Sequence, residues 1–250
     1  MTMLVIISFA VLSLTAAMAT KEQQKVCSDM SIELHPELGV YFLDESDVKQ
    51  ILFRTYKDSL LRKPIDQIPV AGIEEAIAQN PYVEQVHVFI DMNEQIHIDI
   101  VQKQPFIRII NKFGVHYYID KNANKIPVNN KFTCRVPIVT GMIDEGYDKG
   151  GNAVSETMLE IHEVMKYIHE DPFLWAQTEQ VEVKEDGVMH LIPKLGDHRI
   201  VLGQSDQVDE AFQKLRIFYR EGMPFAGWDT YSTIDLSYKG QVVCTKKNVQ

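Results

Sequence analysis

The sequence predicts an α+β protein: an N-terminal membrane helix, a small sheet covered by two helices, and a mixed β domain with flanking helices. Three observations predict it. The start of the chain is a long apolar run, residues 80–105 contain two alternating apolar segments, and beyond Pro105 short strands alternate with polar turns. Alternation with a period of two is typical of half-buried strands. We therefore expect three segments: an anchor over 1–20, a first domain over 27–104 and a second domain over 105–250.

The first segment is apolar without interruption, because residues 3–19 contain no charge, proline or glycine. As a helix this stretch is about 25 Å long, close to the roughly 30 Å of a bilayer's hydrocarbon core. Ala17-Met18-Ala19 resembles a signal-peptidase site, but a basic region before the apolar run is missing. Lys21 and Lys25 follow the run and leave the topology open. The sequence predicts either a signal peptide or a single-pass anchor, and we expect the anchor.

The first domain begins with a predicted strand over 27–34. Asp44 is a suitable N-cap, with Asp47 three residues later, for a helix that ends near Tyr56. A proline-bearing loop over 60–69 leads to a short helix over 70–78, which Asn80-Pro81 terminates. With the two strands that follow, the order is strand, helix, helix, strand, strand. This order predicts two helices packed on one face of a small sheet.

The two alternating runs of residues 80–105 predict a β-hairpin. A register that sets Ile90 opposite Ile96 keeps the aliphatic side chains on one face, whereas a slip of one residue would turn them to solvent. This register leaves residues 92–94 in the turn.

Two histidines lie on the other face of this hairpin. The same register places His87 opposite Asp99 and His97 opposite Phe89, where a cross-strand pair contributes roughly 0.2–1 kcal/mol. A metal site would need further ligands that converge on these rings, and no Cys/His spacing nearby offers them. We therefore expect an ordinary solvated sheet face and no metal.

The second domain alternates strands with two amphipathic helices. Met158, Ile161, Met165 and Ile168 recur at helical spacing, as do Phe212, Leu215 and Tyr219. Asp120 and the asparagines that follow it predict a turn with left-handed backbone. The predicted strands are 115–119, 125–128, 136–140, 180–184, 188–192, 199–202, 232–238 and 241–245, the last two joined by a tight turn at Lys239-Gly240.

Composition and motifs exclude several classes of function. The formal net charge is −10, from 25 Lys and Arg against 35 Asp and Glu, which disfavours nucleic acid as a partner. Three distant cysteines predict neither a disulfide framework nor a zinc knuckle. No nucleophile elbow, phosphate-binding glycine loop or zinc-protease motif is present. We therefore expect that the protein is not an enzyme and binds no cofactor.

Several motifs occur in a characteristic order. After NPYVEQVHVFIDMNEQIHIDIVQKQP come YID with NKIP, then VPIVTG, VLG and IDLSY. In this order they resemble the FtsQ/DivIB cell-division family, single-pass bacterial membrane proteins with an extracytoplasmic POTRA module followed by a β domain. The resemblance covers about residues 43–245. Gln102, Ala123-Asn124 and Ser237 depart from residues that are common in the family at these positions.

The resemblance implies a non-catalytic divisome scaffold in the bacterial inner membrane, with its globular part outside the cytoplasm at the division septum. It implies FtsB and FtsL as partners and, more loosely, the septal peptidoglycan synthase complex. Recognition through the last strand is physically sensible, because a terminal strand at a sheet edge can accept a partner strand. Lys246 and Lys247 alternatively protect such an edge from aggregation. The candidate partner-binding residues are Lys214, Tyr238, Gln241, Val242, Val243 and Cys244.

A second hypothesis is a POTRA-type transport or chaperone component that binds unfolded polypeptides along a sheet edge. Outer-membrane assembly factors carry several such modules or a long barrel of alternating strands. This sequence has one predicted module and no room for the barrel, which favours the scaffold.

Overall fold

The computed structural model describes residues 25–35, 39–148, 155–203 and 208–247. The chain forms two compact units: one contains the described residues up to 35 with Leu43–Gln102, and the other contains residues 39–42 and those described from Lys103 onward. The predicted anchor over 1–20 lies outside the described residues. None of the helices within the described ranges is long and apolar enough to cross a membrane.

The first unit is a three-stranded sheet with two helices, in the predicted order. The strand order is β1-β3-β2, with β1 parallel and β2 antiparallel to β3. A short 3₁₀ helix precedes the second helix. The elements are β1 (Asp29–His35), α1 (Glu45–Tyr56), α2 (Val70–Ala78), β2 (Val83–Ile90) and β3 (Gln95–Gln102).

Local signals place these elements. Asp44 caps α1 as predicted: its carboxylate accepts the Asp47 N–H at 3.0 Å, and the Asp47 carboxylate accepts the Asp44 N–H at 3.0 Å. The predicted hairpin register is confirmed, because Ile90 pairs with Ile96. The aliphatic face of β3 is buried against the helices, so hydrophobic burial fixes the register.

The second unit is built on a nine-stranded sheet, in the order β12-β11-β10-β9-β8-β7-β4-β5-β6. The apolar faces of its longest helices line the core, including the predicted methionines of α3. A π-helical turn, Phe218–Gly222, connects the last two helices. The elements are β4 (Ile107–Ile110), β5 (His116–Ile119), β6 (Lys125–Pro127), β7 (Ile138–Gly141), α3 (Glu156–Glu170), α4 (Pro172–Gln177), β8 (Thr178–Val183), β9 (Met189–Pro193), β10 (Arg199–Gly203), α5 (Val208–Ile217), α6 (Met223–Ala226), β11 (Tyr231–Asp235) and β12 (Val243–Lys246).

The turn between β5 and β6 differs from the sequence prediction. Asparagine was expected in the left-handed conformation, but Ala123 has it, with a φ of 63°. The Asp120 carboxylate accepts the N–H groups of Asn122 and Asn124, each at 2.8 Å. These two bonds fix the turn, so the intervening residue takes the positive φ despite its Cβ.

Candidate partner-binding site

Strand β12 forms one end of the nine-stranded sheet. It pairs antiparallel with β11, and within the described part of the chain no strand lies on its other side. The expectation that the last strand is a sheet edge is therefore correct.

The pairing determines which main-chain groups of β12 are free. Thr245 pairs with Thr233, Val243 pairs with Asp235, and the Lys247 N–H donates to the Thr230 carbonyl at 3.0 Å. Because the N–H and C=O of successive strand residues point to opposite sides, alternate residues of β12 face β11.

The two remaining residues of β12 have the opposite orientation. The main-chain N–H and C=O of Cys244 and Lys246 face the open edge, since their neighbours in the strand face β11. The residue that follows β11 agrees with this assignment, because the Leu236 N–H donates to the Val201 carbonyl of β10, on the side away from β12. The edge thus offers two donors and two acceptors in strand geometry.

The loop before β12 is wider than predicted. The tight Lys239-Gly240 turn was expected to join strands over 232–238 and 241–245, but β11 ends at Asp235 and β12 begins at Val243. Of the candidate residues, Val243 and Cys244 lie in β12, whereas Tyr238, Gln241 and Val242 lie in the loop.

Two residues of α5 explain the width of this loop. The Lys214 ammonium donates to the carbonyls of Leu236 at 2.6 Å and Tyr238 at 2.7 Å, and lies 3.5 Å from the Glu210 carboxylate. The Glu210 carboxylate also accepts the Gly240 N–H at 2.7 Å, and this bond is the main reason that the pKa of Glu210 is lowered. We call Glu210 and Lys214 the loop clamp.

The clamp changes the expectation for Lys214. Its side chain is 13% exposed, and its ammonium already binds two carbonyls and a carboxylate of its own chain. Lys214 therefore lies beside the predicted site, where it stabilises the loop before β12. A direct contact between Lys214 and a partner stays a prediction.

The other candidates differ in exposure. Tyr238 is 54% exposed and Val243 is 42% exposed, so both present apolar surface to solvent. Val242 and Cys244 are half-buried and pack against the core of the unit, and burial raises the pKa of the Cys244 thiol. The site consequently combines an open main-chain edge, two exposed apolar side chains and the exposed Lys246.

Comparison with known proteins identifies both units. A family model described as FtsQ/DivIB, C-terminal related, matches residues 104–245, and a POTRA-like domain model matches residues 25–101. The chain belongs to the FtsQ/DivIB family. No curated protein matches it.

Membership of the FtsQ/DivIB family gives the general function. The family acts at the division site, is generally non-catalytic, and works through protein–protein interactions of the divisome. The domains of this FtsQ/DivIB protein are thus those of a cell-division scaffold.

The histidines of the POTRA-like unit lie as the hairpin register predicts. His87 is 72% exposed with its Nδ1 3.4 Å from the Glu74 carboxylate, and His97 stacks on Phe89 with ring centroids 4.9 Å apart. The His97 ring also lies 3.3 Å from the Asp91 carboxylate. Both rings therefore contact neighbouring side chains on the surface of this unit.

One group of potential metal ligands in this FtsQ/DivIB protein was missed by sequence reasoning. Ligand atoms of Glu33, His35 and Asp99 all lie within 4.8 Å of one another on β1 and β3. The sequence did contain a signal for this group, because Glu33 and His35 are two residues apart in a strand and therefore lie on the same face. The group is largely exposed and offers a single nitrogen ligand, so it falls short of a structural zinc site with four ligands.

Proposed function

We propose that this protein is a non-catalytic divisome scaffold that binds FtsB/FtsL-like partners by adding their strand to β12. Through these partners it helps to regulate the septal peptidoglycan synthase complex. The observation that supports the proposal is the outward orientation of the Cys244 and Lys246 main chain at an unpaired edge.

The edge has enough hydrogen-bonding capacity for this mode of binding. Two outward residues supply two donors and two acceptors, and each hydrogen bond contributes about 0.5–1.5 kcal/mol net. Selectivity then depends on side chains beside the edge. Tyr238 and Val243 offer apolar contacts, while Lys246 favours an acidic partner residue. Lys247 is less available, because its ammonium lies 3.2 Å from the Asp197 carboxylate.

Membrane attachment belongs to the same proposal. The apolar run over residues 3–19 anchors the chain in the inner membrane, with the two units outside the cytoplasm. Protease added to intact spheroplasts should then remove both units. Full protection of the units, or a soluble mature form that begins near Thr20, would contradict the anchor.

A proline substitution tests strand addition at β12. Cys244→Pro removes an outward donor but no hydrogen bond to β11, so the sheet should keep its own pairing. Val243→Pro is less informative, because Val243 faces β11 and its loss also weakens the β11–β12 pairing. Cys244→Val is the matched control, since it changes the side chain and keeps the N–H.

The measurement is the affinity of each full-length variant for an FtsB/FtsL-like partner, with circular dichroism to check folding. We expect Cys244→Pro to weaken binding by about tenfold or more, which corresponds to one lost hydrogen bond and a blocked approach. Cys244→Val should bind like wild type. Undiminished binding by folded Cys244→Pro would exclude strand addition at this edge.

A further inference from the structure

A pocket in the FtsQ/DivIB-type unit gathers positive charge in a chain whose formal net charge is −10. Its volume is about 470 Å³, and it lies where β4 and β8 approach the segment before β7. Arg108, Arg135 and Lys194 line it, with Glu179 as the one carboxylate in the lining. The lining therefore carries a clear excess of positive charge, and β12 contributes no residue to it.

Arg108 contacts a histidine and a tyrosine ring beside this pocket. Its Nη2 lies 3.0 Å from His116 Nδ1, which must accept because arginine only donates. Its guanidinium lies 5.7 Å from the centre of the Tyr118 ring. The Nε atom is buried and has no hydrogen-bond partner. The guanidinium is a permanent cation whose donors are only partly satisfied, and an anion beside it would stabilise its charge.

The three cations lack carboxylate partners. Across the described ranges, no ion pair or side-chain hydrogen bond to a carboxylate is formed by Arg108, Arg135 or Lys194. Glu179 is exposed and reaches none of them within ion-pairing distance. Some other cations of this unit do have such partners, as Lys125 has Glu145 and Arg216 has Asp171. Within the described residues, the positive charge of this lining is therefore not neutralised by ion pairs.

The wall of the pocket is a built structure. The Cys134 N–H donates to the Tyr118 hydroxyl at 3.1 Å, and the Arg108 N–H donates to the Pro137 carbonyl at 3.0 Å. These bonds attach the Arg135 segment to strands β5 and β4. Burial raises the pKa of the Cys134 thiol, so the thiol is neutral and adds no negative charge. Trp175 forms an apolar side of the pocket and stacks on Phe106 at 5.7 Å.

We propose that this pocket binds the phosphate group of a small ligand. Two guanidinium groups and an ammonium carry more positive charge than one carboxylate balances, whereas a phosphate group presents its oxygens around a tetrahedral centre that several donors can approach at once. The apolar wall at Trp175 suits the organic part of a phosphate ester. The same phosphate chemistry occurs in lipid headgroups, which are diesters, and in soluble mono- and pyrophosphates.

The test uses the full-length protein in detergent and calorimetric titration with sodium pyrophosphate. We expect saturable binding at a single site that weakens as salt is raised. Arg108→Gln and Arg135→Gln should each weaken binding about ten- to a hundredfold, the effect of one charge-assisted hydrogen bond. Arg220→Gln is the matched control, because Arg220 is exposed, pairs with Glu221 and lies outside the pocket.

Three results would overturn the proposal: no saturable binding by wild type, equal weakening by Arg220→Gln, or unchanged binding by both pocket variants. If Arg108→Gln fails to fold, Lys194→Gln replaces it, since Lys194 is exposed and tolerates substitution. A parallel titration with glycerophosphoglycerol identifies the source of the phosphate. Tighter binding of this diester indicates a lipid headgroup, and tighter binding of pyrophosphate indicates a soluble ligand.

Discussion

The two edge strands of the nine-stranded sheet, β6 and β12, differ in the main-chain N–H groups that they present to a further strand. In the turn before β6 the Asp120 N–H donates to the Asn124 carbonyl, so by alternation the main-chain groups of Lys125 and Pro127 face outward. Pro127 has no N–H to offer a further strand. In β12 the outward residues are Cys244 and Lys246, and both keep a donor. We call the β6 edge, where a proline removes one of the two outward donors, the closed edge, whereas the β12 edge keeps both donors.

Lys125 reinforces the closed edge. Its side chain is 4% exposed, and its ammonium lies 2.7 Å from Glu145 and 3.2 Å from Asp148. Burial alone would raise the pKa of Glu145, but bonds from Lys125 and Ser155 outweigh it and lower that pKa. The β6 edge is thus protected both by a missing main-chain donor and by a side chain that is held in tertiary contacts. Within the described ranges, no ion pair anchors the exposed side chains of Tyr238, Val243 and Lys246 in this way.

The largest effect is expected from removing the charge that anchors β6. Lys125→Met leaves the buried Glu145 carboxylate without its cation, and breaking a buried pair in this way costs about 3–5 kcal/mol. The measurement is urea unfolding at neutral pH. Lys112→Met is the control, because Lys112 pairs with the exposed Asp144 and such a pair contributes at most about 1 kcal/mol. Equal losses for both variants would contradict the special role of Lys125.

A smaller effect is expected from releasing the loop beside β12. Lys214→Met removes the bonds to the Leu236 and Tyr238 carbonyls and should lower the free energy of unfolding by about 1–3 kcal/mol. Partner affinity should also fall, because the loop would no longer be positioned. Lys239→Met, in the exposed part of the same loop, is the control. If Lys214→Met matched wild type in stability and binding, the loop clamp would have no function.

A still smaller change in stability is expected when the proline of the closed edge is replaced. Pro127→Val restores an outward N–H and should change the free energy of unfolding by less than about 1 kcal/mol. Its main consequence should be self-association, because β6 would then offer strand pairing as β12 does. Sedimentation velocity against wild type at equal concentration measures this. A variant that associates no more than wild type shows that Lys125, rather than Pro127, closes the edge.

The smallest effect is expected on the outer face of the POTRA-like sheet. Replacing both His87 and His97 by Gln should leave partner affinity unchanged and alter stability by about 0.5 kcal/mol or less, as is usual for surface sites. Pull-down of the partner and thermal unfolding of the double variant test this. If the double variant lost partner binding, the recognition site would lie in the POTRA-like unit and not at β12.

Local patterns predicted much of the POTRA-like unit. The pairing of Ile90 with Ile96, the bounds of α2 and the cap at Asp44 all follow from alternation, proline placement and short polar side chains within a few residues. Each of these signals acts between residues that are close in sequence, so the elements can be predicted without the contacts that distant segments make.

The second unit depends more on distant contacts. Strand β4 was missed because its alternation spans only four residues, and its place between β5 and β7 is decided by pairing with separate segments. The wide loop before β12 depends on Glu210, which is 30 residues from Gly240 in sequence. The pocket around Arg108 likewise joins segments that share no local pattern.

The most direct test of the open edge is amide hydrogen exchange, resolved by residue with and without the FtsB/FtsL-like partner. We predict that the amides of Cys244 and Lys246 exchange rapidly in the free protein and become protected in the complex. Val243 and Thr245 face β11 and should be protected in both states. If the complex forms while Cys244 and Lys246 exchange as before, the partner does not add a strand to β12.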